Sequence, residues 1–321
     1  MRAVELHTPG EPPAVVDREP PAPSDGSVVV AVTAAPIVPL DLLCASGTSY
    51  FGVPRTPYVP GVQGVGTVDG QAVWFPTSAG MAPGDGAMAE QVAVPSADLV
   101  PLPAEVSPAE VAALGLSAIA AYMALTWRGG LAPGETVLVL GAGGVVGQAA
   151  LQLARLHGAA RVVGAARSPE GRERALAAGA DEVVALDTDD VAELAERLTD
   201  CANGPVDLVL DPLYGVPAAA AARCLRPGGR LVNLGGSAAE HAPLDSSTIR
   251  GRSLQVLGYT NNALTREQKA TAMTAIARHA AAGELTVSHE VVPLEDAVDA
   301  WARQASGRTT GKRLVLVPAA R

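Results

Sequence analysis

Aromatic side chains are scarce in this sequence: Phe, Trp and Tyr together make up 3% of its 321 residues. Charge is thin as well, at 17% Asp, Glu, Lys and Arg, and it is unbalanced, with 33 acidic against 23 basic residues and a formal net charge of −10. Nonspecific binding to nucleic acid or to anionic membranes relies on a basic surface, so this balance argues against both partners. Cysteine is limited to Cys44, Cys201 and Cys224, odd in number and in no paired spacing, which fits reduced thiols better than disulfides or a metal cluster. No charged start followed by an apolar core and a small-residue cleavage site is present, and no uninterrupted apolar run reads as long enough to span a bilayer. Together these absences predict a soluble, globular, cytoplasmic protein. Internal repeats and low-complexity linkers are missing too, and the length suggests two domains, each with its own core.

The stretch that organises the chain runs from Glu135 to Ser168, ETVLVLGAGGVVGQAALQLARLHGAARVVGAARS. Val137 to Leu140, with Thr136 ahead of them, lie between Gly134 and Gly141 and read as a short strand buried on both faces. Gly141, Gly144 and Gly147 then lead into Val146, Ala149, Ala150, Leu153 and Leu156, the spacing of one helix face running to His157. Arg161 to Ala165 reads as the next parallel strand, completing a βαβ unit. The first turn of such a helix leaves its amide hydrogens unpaired at the positive end of the helix dipole, and glycine admits a phosphate close to the backbone. A pyrophosphate, and so a dinucleotide, is the ligand this order predicts. The spacing departs from G-x-G-x-x-G, since Val146 stands where the third glycine would fall; it fits G-x-x-G-x-x-G.

The end of the second strand speaks to which dinucleotide. An NAD site places Asp or Glu about 20 residues past the glycines to hold the ribose 2′-hydroxyl. Here that place holds Ala166, followed by Arg167 and Ser168. A missing carboxylate removes repulsion of a 2′-phosphate, and a guanidinium beside a hydroxyl binds one through charge-assisted hydrogen bonds, which favours NADPH. Arg172, one helical turn further on, is a candidate to assist. The structural alternative is that Arg167 is a solvated charge at a strand end.

Taken in order, the first hundred residues contain short β-branched runs separated by Pro and Gly, which predicts a small barrel or sandwich. From Ser107 the pattern turns helical, with Ser107 as N-cap, Pro108 at the first position and Glu110 at the third. After the βαβ unit, helix candidates (170–178, 191–201, 216–225) alternate with strands (182–186, 206–210, 229–234), a parallel sheet covered on both faces. A strand at 253–258 and a helix at 267–282 follow. Ligands lie outside the carboxyl ends of such strands, so Asp211 to Leu213, Leu234 to Ser237 and Gly258 to Asn262 are expected to line the crevice with the glycine turn. The last forty residues return to β character at 287–292, add a helix at 294–303, and finish on KRLVLVP from Lys312. This tail is expected to pack back on the amino-terminal domain.

With these residues in view, the chain resembles the medium-chain dehydrogenase/reductase superfamily and, within it, the zinc-independent quinone oxidoreductase branch that includes zeta-crystallin. The likeness is carried by PLD from Pro39, VPGVQGVGTV from Val59, MAEQVAVP from Met88, the glycine turn, ARSPEGRERALAAGADEVV from Ala166, LRPGGRLVNLGG from Leu225 and GKRLVLVP from Gly311. The resemblance implies an α/β protein in which a Rossmann doubly wound parallel sheet (119–282) is inserted into a GroES-like β-rich catalytic domain (1–118 and 283–321), commonly as a homodimer. It implies hydride transfer from NADPH to a quinone or other activated alkene, an apolar small molecule. The cofactor contacts expected are Gly141, Gly144, Val145, Val146, Gly147, Arg167, Ser168, Arg172, Leu213, Leu234, Gly235, Gly258, Tyr259 and Thr260. An enoyl-thioester reductase and a nucleotide-binding protein with little turnover stand as alternatives.

The places of the superfamily's zinc ligands fall on Val38, on Gly61, Val62 and Gln63, and near Leu116, none of which ligates zinc as thiolate or imidazole, so no metal is expected. Quinone oxidoreductases often have Asn where Val38 stands. The catalytic candidates are Tyr50 and Tyr259, each to hydrogen-bond a substrate oxygen, against the alternative that each ring packs and its hydroxyl meets water. Asp41 reads either as a general base or as the cap of a helix beginning at Leu42. Loops around Tyr50, Trp74 and Asn262 are expected to shape the substrate pocket.

Overall fold

The computed structural model describes residues 1–309 and 311–319. The chain divides into two units, one formed by residues 1–115 and the chain from Arg266 onward, the other by Leu116–Thr265. The expected boundaries, 118 and 282, differ from these. The second difference is the larger, because the helix Arg266–Ala281 belongs with the chain ends. It packs against the short strand Val100–Pro101 and begins with an ion pair from Arg266 to Asp98, both in the first unit.

In the second unit a six-stranded parallel sheet runs in the order Glu182–Ala185, Arg161–Ala166, Thr136–Leu140, Val206–Asp211, Leu225–Asn233 and Gln255–Gly258. Two successive wings are built outward from the central strand Thr136–Leu140, which is the doubly wound arrangement with its switch point beside that strand. Val137, Leu138, Val139 and Leu140 are all fully buried, as a strand covered on both faces requires. The helices between strands start where side-chain oxygens cap them. Ser168 Oγ accepts from Gly171 N at 3.0 Å with Pro169 at the first turn, and Asp190 Oδ1 accepts from the amides of Ala192 and Glu193 at 2.8 and 3.1 Å.

The first unit is built on a seven-stranded sheet. Its path runs His289–Pro293, Arg313–Val317, Ser27–Ile37, Gln63–Val68, Gln71–Pro76 and Val100–Pro101, with Gln91–Pro95 also paired to Ser27–Ile37. Arg313–Val317 pairs antiparallel with Ser27–Ile37, so the carboxyl-terminal tail completes the sheet begun by the amino-terminal segment. Its core gathers Leu6, Ile37, Phe75, Met88, Trp301 and Leu316.

The segment Pro108–Arg128, 21 residues with mean hydropathy 1.5, is long and apolar enough by those measures to cross a membrane, although Glu110 and Arg128 interrupt its apolar character. Much of it is buried in the protein, and Gly115 breaks its course with φ 29° and ψ −130°, the conformation at which the chain passes from one unit to the other.

Candidate functional site

The glycine turn follows the central strand of the second unit. Gly141 takes φ +62°, which an L side chain disfavours, and turns the chain out of the sheet. Gly144 is then the N-cap of the helix Val145–Leu156, with no side-chain cap on the first amides. Those donors, belonging to Val145, Val146 and Gly147, are the orphan groups of a helix start and carry its positive dipole end. A β-carbon at Gly147 would lie 2.4 Å from Gly141 O and 2.6 Å from the Ala142 Cα, so glycine lets the helix sit against its own entry turn. The turn is held from outside by Gln148 Nε2 and Arg174 Nε, each donating to Gly143 O at 3.0 Å. A bare, pre-shaped row of amides fits a pyrophosphate.

At the end of the neighbouring strand, Arg167 is exposed and no carboxylate among the described residues pairs with it. Arg172 is turned back on the chain, its Nη1 donating to Arg167 O at 2.9 Å. Ser168 Oγ accepts the cap bond of the next helix, and the Glu170 carboxyl is held below its usual range by its own backbone amide and then by the Ser168 hydroxyl. Of the three residues expected to meet a 2′-phosphate, Arg167 is therefore the one whose cationic group faces outward uncommitted to a protein acceptor.

Of the other strand ends, the one after Asp211 reaches the same turn. Leu213 approaches Gly141 closely, its Cδ2 lying 3.1 Å from where a Gly141 β-carbon would stand. This segment is fixed by Asp211, fully buried, whose Oδ1 accepts from the amides of Leu213 and Tyr214 at 2.9 and 2.8 Å and whose Oδ2 accepts from Asn233 Nδ2 at 3.0 Å. Burial pushes its carboxyl pKa up against those bonds. The clamp also holds Tyr214 at φ 61°, ψ −160°, a strained backbone of order 1–3 kcal/mol for a non-glycine residue. Leu234 N donates to Asp211 O at 2.9 Å, and Asn233 Nδ2 to Gly235 O at 2.8 Å, so Leu234 and Gly235 stand beside the Asp211 turn. Gly258 ends the edge strand and, with Tyr259 and Thr260 after it, lines a cavity of about 440 Å³ with Trp127, Arg128 and Ala263. There Arg128 Nε donates to Gly258 O at 3.0 Å while the Trp127 and Tyr259 rings meet edge to face at 6.4 Å.

Tyr259 differs from the expectation of a hydroxyl free for a substrate oxygen. Its Oη donates to Asn261 Oδ1 at 2.6 Å, and burial raises its pKa. Asn261, which the sequence reading passed over inside the 258–262 loop, in turn donates through Nδ2 to Leu116 O at 3.0 Å.

In the first unit, Tyr50 is 76% exposed and stacks at a tilt on Phe51 with ring centroids 4.3 Å apart. Trp74, expected near the pocket, is fully buried in the strand Gln71–Pro76, its Nε1 donating to Gln63 Oε1 at 3.1 Å. The helix expected from Leu42 begins at Pro39, which places Asp41 at its third position. The Asp41 carboxylate accepts from Val38 N at 2.8 Å, Gly61 N at 3.2 Å and Val62 N at 2.9 Å, tying together two of the places where zinc relatives carry ligands. Burial raises its pKa to about 6, opposed by those amides and by Arg313. Arg313, itself buried and lowered to about 10, donates to Ile37 O at 2.9 Å. Among the described residues no group of three or more His, Cys, Asp or Glu is placed to hold a metal ion.

The signals missed were long-range ones. Gln148 and Arg174 read as ordinary helix residues and Asn233 as part of a strand; only the fold shows that Gln148 and Arg174 hold the glycine turn and that Asn233 bonds to Asp211.

The profile of the zinc-binding dehydrogenase family matches residues 145–278. The quinone oxidoreductase of Lama guanicoe is 30% identical over 281 residues, covering 84% of this chain and 82% of that protein. The synaptic vesicle membrane protein VAT-1 homolog of Rattus norvegicus is 35% identical over 227 residues, or 67% of this chain; the match spans only about half, 54%, of that relative's length. Among solved structures, the quinone oxidoreductase of Thermus thermophilus, determined also in complex with NADPH, superposes with a TM-score of 0.80 at 34% identity, covering 99% of this chain and 100% of that one. On these likenesses and on its inserted doubly wound sheet, the chain belongs to the medium-chain dehydrogenase/reductase superfamily, in its quinone oxidoreductase branch.

Proposed function

We propose that this protein is an NADPH-dependent oxidoreductase that reduces quinones or α,β-unsaturated carbonyls without a metal, as a cytoplasmic homodimer acting on small apolar substrates. The observation that carries the reading is the uncapped first turn of Val145–Leu156 behind Gly141, Gly144 and Gly147, with Arg167 exposed at the end of the next strand. NADPH, when bound, supplies a hydride for the electron-poor β-carbon of the substrate.

The chain's own residues have three tasks in this reading. The amides of Val145, Val146 and Gly147 bind the pyrophosphate, and Arg167, with Ser168 and Arg172 beside it, selects the 2′-phosphate. Leu213, Leu234, Gly235, Gly258, Tyr259 and Thr260 form the wall over the ends of the strands beyond the switch point. Tyr50 is kept as a substrate contact on the strength of its exposed ring. With Val38 and Val62 at two of the ligand places, charge developing on the substrate oxygen is met by hydrogen bonds or by solvent rather than by a Lewis acid.

The test is a paired titration with NADPH and NADH of the unaltered protein and of Arg167→Ala, together with NADPH oxidation across quinones, enones and enoyl thioesters. Because Arg167 is exposed, its loss is expected to weaken NADPH by about 1–2 kcal/mol, fivefold to thirtyfold, and to leave NADH unchanged. Equal losses for both cofactors refute the assigned role of Arg167. Tight NADPH binding with no oxidation across the panel refutes the reductase.

A further inference from the structure

The hydrogen-bond polarity around Tyr259 is determined by a group that cannot be reversed. A backbone carbonyl only accepts, so Leu116 O at 3.0 Å requires the amino group of Asn261 to face it. That orientation turns the amide oxygen of Asn261 toward Tyr259, and an amide oxygen also only accepts. The phenolic hydrogen of Tyr259 is therefore committed to Asn261, across 2.6 Å. What Tyr259 offers to anything else is the acceptor capacity of its oxygen. Burial keeps the phenol neutral, so the commitment does not lapse by ionisation. The ring itself is held by Trp127, edge to face at 6.4 Å.

A group that presents only a lone pair recognises a donor, and it is a poor partner for a carbonyl or enolate oxygen. In a doubly wound sheet the adenosine half of a dinucleotide lies over the strands on one side of the switch point and the second nucleotide over those on the other. Tyr259 closes the outermost strand of that second side. The amide donor of a nicotinamide nucleotide in this half is the carboxamide of its ring.

Resting on the functional reading above, we propose that Asn261 is a positioning residue that locks the Tyr259 hydroxyl as an acceptor for the nicotinamide carboxamide N–H. Tyr259 then orients the cofactor ring and is not the proton donor to substrate.

The experiment compares Kd for oxidised NADP with Kd for its 3-acetylpyridine analogue, in which a methyl group replaces the carboxamide amino group. The protein is expected to prefer the carboxamide. In Tyr259→Phe, which keeps the ring against Trp127, that preference falls about five- to tenfold, the worth of one hydrogen bond. Asn261→Leu releases the hydroxyl to donate to the acetyl oxygen and lowers the preference likewise. A preference unchanged in Tyr259→Phe overturns the proposal, as does a preference unchanged in Asn261→Leu. Failure of the unaltered protein to bind either nucleotide instead refutes the functional reading, so the two failures are distinguishable.

Discussion

A β-carbon built on Gly143 would stand 2.4 Å from the Cα of Gly171, so the glycine turn and the first turn of the helix Pro169–Ala177 meet backbone to backbone. Gly143→Ala must push these two segments apart, and is expected to destabilise the protein by about 1–3 kcal/mol. Gly144→Ala is a different case. Gly144 has φ −78° and ψ 166°, open to any residue, and a β-carbon there meets only Gly141 O, at 3.2 Å. The fold is expected to tolerate it, while the methyl group occupies the approach to the bare amides and weakens NADPH at least about tenfold, or ~1.4 kcal/mol. Calorimetric melting and NADPH fluorescence titration of both variants separate packing from phosphate recognition. Wild-type affinity in Gly144→Ala would place the phosphate elsewhere.

Asp41 makes a prediction about pH. Its folded pKa of about 6 lies above its ordinary 3.8, so the native chain holds this proton more tightly than the unfolded one. The associated stability is complete below about pH 4 and is lost as pH rises through about 6, amounting to about 2–3 kcal/mol at 1.36 kcal/mol per pKa unit. In Asp41→Asn this component of the slope between pH 4 and 6 disappears. The variant is also less stable throughout, because an amide offers one acceptor oxygen where Val38, Gly61 and Val62 all donate. Urea unfolding of both proteins from pH 4 to 7.5 checks both statements. Parallel curves would show that Asp41 does not titrate in this window.

Glu135, just before the strand Thr136–Leu140, and Arg230, within the strand Leu225–Asn233, form a two-point ion pair, Nη1 to Oε1 at 2.7 Å and Nη2 to Oε2 at 2.8 Å, with side chains 13% and 10% exposed. Arg230 also donates to the carbonyls of Gly129, Gly130 and Asp207. Burial pushes the Glu135 carboxyl up, but the bonds from Arg230, Ala132 N and Arg226 outweigh it and leave the pKa below its usual range. Glu135→Ala leaves a largely buried guanidinium short of its counter-charge and is expected to cost about 3 kcal/mol in denaturant unfolding. NADPH affinity is expected to hold, since the pair braces the end of the sheet opposite the glycine turn. A loss of affinity without a loss of stability would contradict this division.

Much of the second unit was legible because its signals are local. The glycine turn, the apolar strand before it and the helix face after it are contiguous, and Ser168 and Pro169 mark a helix start where one forms. The helix Arg266–Ala281 shows where local reading stops. Its periodicity is that of any amphipathic helix, and nothing in it says whether the partner surface comes before or after it in the chain. Trp74 is a second case: it was expected beside a pocket-shaping loop, whereas it lies in the strand Gln71–Pro76 with its indole N–H satisfied inside the core by Gln63.

By itself, the order of residues determined the alternation of strands and helices, the glycine turn and the absence of ligating side chains at Val38 and Val62. Those properties depend on neighbours in sequence, through backbone sterics, helix dipoles and side-chain chemistry. Tertiary structure alone decided which polar groups meet: Arg174 with Gly143, Asp41 with the amides of Gly61 and Val62, Asn261 with Tyr259 and Leu116. A hydrogen bond is directional and short, so its partner is chosen only when the packed sheet has brought distant segments within about 3 Å of one another.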